Sequence, residues 1–264
     1  MTELEAYYNK FNEEKRLDSR HGQVEYRVSM AYIHRYLAQC EAAGAARQEI
    51  RVLDIGAGTG RYSVALSEEG YDVTAVELVR YNLGILRKKA SAVRAMQGNA
   101  LNLRKLAQEQ FDVTLLFGPM YHLLTFEEKR QALAEAKRVT RTGGVIFAAY
   151  CMNEYAVISY AFKERNVLAC MEERRLTADF HTVSDREALY DYVRVEDIDA
   201  LNAAAGLERL MLISPDGPAN YMRPFLNRLT DEEFELFVQY QLAICERQDL
   251  IGAGAHTVDI LRKI

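Results

Sequence analysis

Asp54, Gly56, Gly58 and Gly60 alternate through the stretch RVLDIGAGTGRYS, residues 51–63, and Glu77 stands 77 − 56 = 21 positions beyond Gly56. Glycine lets the chain turn sharply and lets backbone approach a ligand closely, because no Cβ intervenes. A carboxylate about 20 positions after such a turn is placed to accept from both hydroxyls of a ribose, and charge-assisted bonds of this kind are strong. Two familiar phosphate cradles do not fit. A G-x-G-x-x-G fingerprint begun at Gly56 requires glycine where Arg61 stands. A G-x-x-x-x-G-K-[ST] loop meets the same Arg61 when counted from Gly56, and Ser63 when counted from Gly58. Asp54 would sit poorly beside a pyrophosphate and suits a ligand that carries a positive charge or an ammonium group. Farther on, Gly118-Pro119-Met120-Tyr121-His122 aims two more chemical groups. His122 is the best single candidate for a general base, with an ordinary pKa of about 6.5, and its other reading is a structural histidine at a helix start.

These groups need a scaffold, and the pattern supplies one. Val52, Leu53 and Ile55 make a strand apolar on both faces, as in a buried parallel sheet. Strands are predicted at 50–55, 72–77, 93–97, 111–117 and 145–151, with helices at 23–46, 61–69, 82–91 and 126–141 between them. Gly44 is a plausible stop for the first helix, and Thr142-Gly143-Gly144 closes the last. In open sheets of this kind ligands bind beyond the carboxyl ends of the strands. Beyond residue 152 the alternation stops. Residues 153–192 read as helices and polar connections rich in Tyr155, Tyr160, Phe162, Phe180, Tyr190 and Tyr192, an aromatic cover for a pocket or a helical subdomain packed for stability. A helix at 196–205 ended by Gly206, a strand at 207–214, a second helical insertion at about 224–249 with a capping box at Thr230 and Glu233, and a last strand at 256–261 complete the chain.

LDIGAGTGRYS resembles the first motif of class I S-adenosylmethionine (SAM)-dependent methyltransferases. The resemblance covers about residues 50–150 closely and 195–264 loosely. It implies an α/β, Rossmann-like, seven-stranded, mostly parallel sheet with an antiparallel last strand, helices on both faces, and helical insertions forming a cap. It divides one domain into an N-terminal cap and first helix (1–49), a cofactor-binding core (50–152), a cap insertion (153–194) and the rest of the core (195–264). It implies SAM as cofactor, yielding S-adenosylhomocysteine. Asp54 is expected near the methionine part, and the turn Gly56, Ala57, Gly58, Gly60 around it. Glu77 is expected at the ribose, Asn99 and Ala100 at the adenine, and Leu78, Phe117 and Gly118 as further cofactor-binding residues. Asn99 departs from the aspartate common at that place. Gly118-Pro119-Met120-Tyr121 departs from the Asn/Asp-Pro-Pro-Tyr/Phe of members acting on nucleobase or amide nitrogens, which counts against that chemistry. Tyr121 and His122 are the catalytic candidates. Tyr8, Arg20, Tyr150 and His181 are the candidates for the acceptor pocket.

The chain has 264 residues, 49% hydrophobic and 27% charged, with net charge −5, enough for one large domain and without the basic stripe of a nucleic-acid binder. Cys40, Cys151, Cys170 and Cys245 are scattered, with no metal-ligand spacing, so no metal is expected and structural thiols in a reducing cytosol are the simple reading. The polar opening MTELEAYYNKFNEEKR does not read as a signal peptide. No apolar run spans a bilayer. A cytoplasmic monomer or homodimer that methylates an N, O, S or C atom of a small molecule is expected. An RNA or protein methyltransferase, a non-catalytic binder of SAM or S-adenosylhomocysteine, and a nicotinamide oxidoreductase stand as alternatives, the last opposed by Arg61 and Asp54.

Overall fold

The computed structural model describes residues 19–89, 92–185 and 188–264. Tyr8 lies outside them. The strands are β1 (Arg51–Ile55), β2 (Asp72–Glu77), β3 (Arg94–Gln97), β4 (Phe111–Leu116), β5 (Thr140–Met152), β6 (Tyr192–Val193), β7 (Glu208–Ile213) and β8 (His256–Arg262). They form one sheet in the order β3-β2-β1-β4-β5-β8-β7, with the two-residue β6 beside the end of β5. Pairing is parallel from β3 to β5, and β8 runs antiparallel between β5 and β7. Seven long strands with a single antiparallel one match the expected sheet.

The helices are α1 (Arg20–Ala42), α2 (Arg61–Glu68), α3 (Arg80–Lys88), α4 (Phe126–Val139), α5 (Asn153–Ala156), α6 (Val167–Glu172), α7 (Val195–Ala205), α8 (Arg223–Leu226) and α9 (Asp231–Ile244). Strand side chains alternate between faces. Val52, Val113, Leu115, Val145 and Phe147 pack with α1, α2 and α9; Leu53, Ile55, Leu116, Ile146 and Ala148 pack with α4 and α7. Both faces are therefore covered, which is why the central strands are apolar throughout.

Three boundaries moved for local reasons. Helix α1 starts at Arg20 rather than 23, because the Ser19 hydroxyl accepts from Gly22 N–H at 3.3 Å. Thr142-Gly143-Gly144 belongs to β5 and forms no loop; the register against β4 shifts there, and Gly143 takes φ +78° at the irregularity. The second insertion is two helices, α8 and α9, the latter opened by the predicted box: Thr230 Oγ1 accepts from Glu233 N–H, and Glu233 accepts from Thr230 N–H. Residues 153–191 continue from α5 into a π-helical stretch, Val157–Lys163, and have a small apolar cluster of their own: Val157, Ala161, Cys170 and Leu176.

Candidate functional site

A cavity opens where β1, β2 and β4 end. Of the eleven expected cofactor residues ten line it: Asp54, Gly56, Ala57, Gly58, Glu77, Leu78, Asn99, Ala100, Phe117 and Gly118. The exception is Gly60. It takes φ +88° at the entry to α2, and a Cβ there would collide with Leu86 of α3, so its requirement for glycine comes from helix packing. At Gly56 (φ +76°) an added Cβ would lie 2.6 Å from Pro119 Cδ, and at Gly118 it would lie 2.9 Å from the Gly56 carbonyl oxygen. The glycine turn and the loop after β4 thus pack backbone to backbone, which shapes the floor.

Glu77 ends β2 at 5% exposure. Its Oε2 accepts from Gly58 N–H at 2.8 Å and its Oε1 from Val79 N–H at 2.7 Å. The carboxylate is thereby held rigid between the glycine turn and the start of α3, in the geometry of a two-oxygen acceptor. Asp54, wholly buried, accepts from the Ser63 hydroxyl, and burial raises its pKa to about 6 against the lowering effect of that bond. A buried carboxylate with little charge compensation is a site that a cationic ligand group would stabilise. Asn99 Oδ1 accepts from Leu101 N–H at 2.9 Å, so Asn99 first of all builds its own turn. Asn82, on the first turn of α3, also lines the cavity; it is 2% exposed and its Oδ1 has no hydrogen-bond partner. A buried unsatisfied polar atom costs about 1–3 kcal/mol.

At the other end of the cavity stand Tyr121 and His122. The Leu189 carbonyl accepts from His122 Nδ1–H at 2.8 Å, which fixes the tautomer and leaves Nε2 the basic nitrogen. Burial lowers the His122 pKa to about 4, outweighing the Leu189 bond. His122 is therefore neutral at physiological pH and a far weaker base than its sequence value implies. Tyr190 closes over both rings, with centroids 5.8 Å from Tyr121 and 5.0 Å from His122. The segment carrying Tyr190 is tied down by Asp191: its N–H donates to the Tyr121 carbonyl at 2.8 Å, and its carboxylate meets Lys129 Nζ at 2.6 Å. The end of the aromatic insertion thus packs against the two residues that line this part of the cavity.

Three residues expected at the acceptor pocket are elsewhere. Tyr150 is 1% exposed, and strand alternation turns it into the core beneath α4 and α7. Arg20 pairs with Asp231 at 2.9 Å and lies over the Phe234 ring, joining α1 to α9. His181 meets Asp197 through Nε2 at 3.0 Å and donates from Nδ1 to the Thr182 carbonyl, joining the insertion to α7. Burial acts most strongly and lowers its pKa, but the bonds to Asp197 and Thr182 together with the Asp197 charge raise it above the ordinary value.

One group escaped the sequence reading. Glu25, Asp216 and His256 bring one metal-ligand-type atom each within 4.8 Å of the others. His256 Nδ1 lies 2.8 Å from Asp216 Oδ2 and 3.6 Å from Glu25 Oε2. Burial works to lower the His256 pKa, and Glu25, Cys151 and Asp216 together raise it well above the ordinary value. The His256 ring is 6.4 Å from that of Tyr121. Because β8 is antiparallel, its first residue stands opposite Cys151, at the edge where the parallel strands end. No spacing along the chain announces residues 25, 216 and 256 as neighbours.

Residues 53–148 match the profile of a methyltransferase domain. A demethylmenaquinone methyltransferase of Renibacterium salmoninarum is 36% identical over 100 residues, 38% of this chain and 40% of that protein. A glycine/sarcosine N-methyltransferase of Aphanothece halophytica is 31% identical over 101 residues, 36% of this chain and 38% of that protein. The chain spans about two fifths of the length of these curated relatives. A solved SAM-dependent methyltransferase from Methanosarcina mazei has the same fold, with TM-score 0.56 and 14% identity over 88% of this chain and 97% of that one. Residues 53–148 thus resemble a methyltransferase domain, and the chain shares the fold of solved SAM-dependent methyltransferases. Among the described residues no helix is long and apolar enough to cross a membrane.

Proposed function

We propose that this protein transfers a methyl group from SAM to a small-molecule acceptor. The observation that carries the reading is Glu77, fixed by Gly58 and Val79 N–H beside the glycine turn and lining the same cavity as that turn. Glu77 accepts from the ribose hydroxyls, Asp54 faces the cationic amino-acid end, and Ala100 and Asn99 border the adenine. The cradle suits the group: the glycine turn admits close backbone approach, and a buried carboxylate is left for a positive charge. SAM supplies an activated methyl on a sulfonium leaving group. The protein's own part is alignment of the acceptor with that methyl, which converts binding energy into rate.

Tyr121 and His122, with Tyr190 packed against them, form the wall on the acceptor side. His122, neutral and with its tautomer fixed, accepts a hydrogen bond from the attacking group through Nε2 and orients it. Tyr190 and the chain tied down by Asp191 exclude water. The relatives act, by their names, on demethylmenaquinone and on glycine and sarcosine, which supports a small-molecule acceptor here. Titration calorimetry tests the reading. S-adenosylhomocysteine and SAM are expected to bind and NAD is not; binding of NAD alone would overturn it. Glu77→Ala should weaken S-adenosylhomocysteine by about 1.5–3 kcal/mol through loss of a charged hydrogen bond.

A further inference from the structure

Glu25, Asp216 and His256 come from three separate elements and bring one donor atom each to a common place. Glu25 belongs to α1, the fully buried Asp216 follows β7, and His256 opens β8. His256 Nδ1 stands 2.8 Å from Asp216 Oδ2 and 3.6 Å from Glu25 Oε2. A hydrogen bond accounts for the first distance; the second is too long for one. Two atoms held about 2.1 Å from one metal ion at a tetrahedral or octahedral angle lie about 3.0–3.4 Å apart. The two observed distances bracket that range, so shifts of a few tenths of an ångström would seat an ion among the three atoms. Charge points the same way. A protonated imidazole sets one positive charge against two carboxylates, whereas a divalent cation beside a neutral ring leaves the group neutral. Asp216 is also held in place. Asn220 Nδ2 donates to its Oδ2 at 2.7 Å, and His256 N–H donates to its Oδ1 at 3.2 Å. Outer partners of this kind fix the orientation of metal-binding carboxylates. At Gly254 an added Cβ would lie 3.0 Å from Asp216 Oδ1, so the loop before β8 packs directly on the carboxylate.

We propose that Glu25, Asp216 and His256 form a binding site for one divalent first-row metal ion of the Mn²⁺ class. One imidazole with two carboxylates is a mixed nitrogen–oxygen set without thiolate, which suits such an ion. His256 binds through Nδ1, so its ring takes the tautomer with the proton on Nε2. Three protein ligands leave coordination positions open for water or for an anionic oxygen donor, the pattern of sites that act on bound molecules. Tyr121 lines the cavity and has its ring 6.4 Å from that of His256, so the ion stands next to the proposed acceptor end. Residues 25, 216 and 256 have no ligand spacing along the chain, which is why no metal is expected from the sequence. The site rests on its own geometry and not on the cofactor assignment.

Titration of the full chain with Mn²⁺ alone, followed by electron paramagnetic resonance of the free ion, tests the site. One bound Mn²⁺ per chain is expected. Glu25→Gln and His256→Gln should each weaken its binding about tenfold or more. Glu25→Gln leaves the His256–Asp216 bond in place, so its metal-free melting temperature should stay within a few degrees of wild type, which separates loss of a ligand from loss of the fold. His181→Gln removes a histidine paired with one carboxylate, Asp197, and serves as the control that should bind as wild type does. No binding at millimolar Mn²⁺, binding unchanged in either Glu25→Gln or His256→Gln, or an equal loss in His181→Gln would each overturn the site and leave a hydrogen-bonded His256–Asp216 pair beside Glu25. None of these measurements contains SAM, so the methyl-transfer reading stands or falls separately.

Discussion

Asp54 and His122 are opposite cases of one effect, the burial of an ionisable group. Burial raises the Asp54 pKa from 3.8 to about 6, so the folded state prefers the protonated acid. Its contribution to stability is full below about pH 4 and is lost as pH rises through 6. Burial lowers the His122 pKa from 6.5 to about 4, so the folded state prefers the neutral ring. Its contribution is full above about pH 6.5 and is lost as pH falls through 4. The two changes oppose each other between pH 4 and 6. Single variants separate them. Asp54→Asn should raise the ligand-free melting temperature on the order of 5 °C at pH 8 and by much less at pH 4. His122→Gln should gain on the wild type as pH falls from 7 to 4. Thermal scans across that range decide both; a pH-independent gap for either variant would mean that its group does not titrate as described.

The elements around the site are held by a few polar ties across apolar packing. Lys129 of α4 is the clearest: its side chain is 3% exposed, and it joins the Leu123 carbonyl to the Asp191 carboxylate. This one ammonium fixes the loop after β4 to the end of the insertion, and so sets where Tyr190 sits over His122. Breaking a buried pair by removing one partner leaves the other charge uncompensated. Lys129→Met should therefore cost about 2–3 kcal/mol, below the range for fully buried pairs because Asp191 keeps 17% exposure. The double variant Lys129→Met with Asp191→Leu should recover part of that loss. Urea titration of the three proteins measures it, and equal stability of the single variant and wild type would remove Lys129 from this role.

At the scale of the molecule, two covered sheet faces make the core, and the insertion is the less anchored part. Its apolar cluster has four buried members, Leu168 is 81% exposed, and Arg165 and Arg174 take φ of 62° and 57°. Regions with few buried contacts open first. Trypsin should cut first between Lys163 and Arg175, with the sheet core left intact. Saturating S-adenosylhomocysteine should raise the melting temperature without slowing those first cuts, since ligand binding stabilises the part that holds it. Mass spectrometry of early fragments checks the order. A first cut within β1 to β5 would contradict it.

The glycine-turn wall of the cavity was legible in the sequence. Asp54, the glycine turn and Glu77 lie within 24 residues, and one strand–turn–helix–strand passage fixes their geometry by local rules. Gly60 was legible only as a glycine, since its clash partner, Leu86, belongs to the next helix. The surroundings of Tyr121 and His122 were not legible. Strand alternation in a sheet covered on both faces took Tyr150 into the core, burial changed His122 from a base into a neutral hydrogen-bonding group, and the antiparallel course of β8 set His256 beside Asp216, Glu25 and Tyr121. Spacing along a chain encodes contacts between neighbours in sequence. Contacts between residues 25, 121, 216 and 256 exist only once the sheet has chosen its order, and that choice is made by the packing of the whole chain.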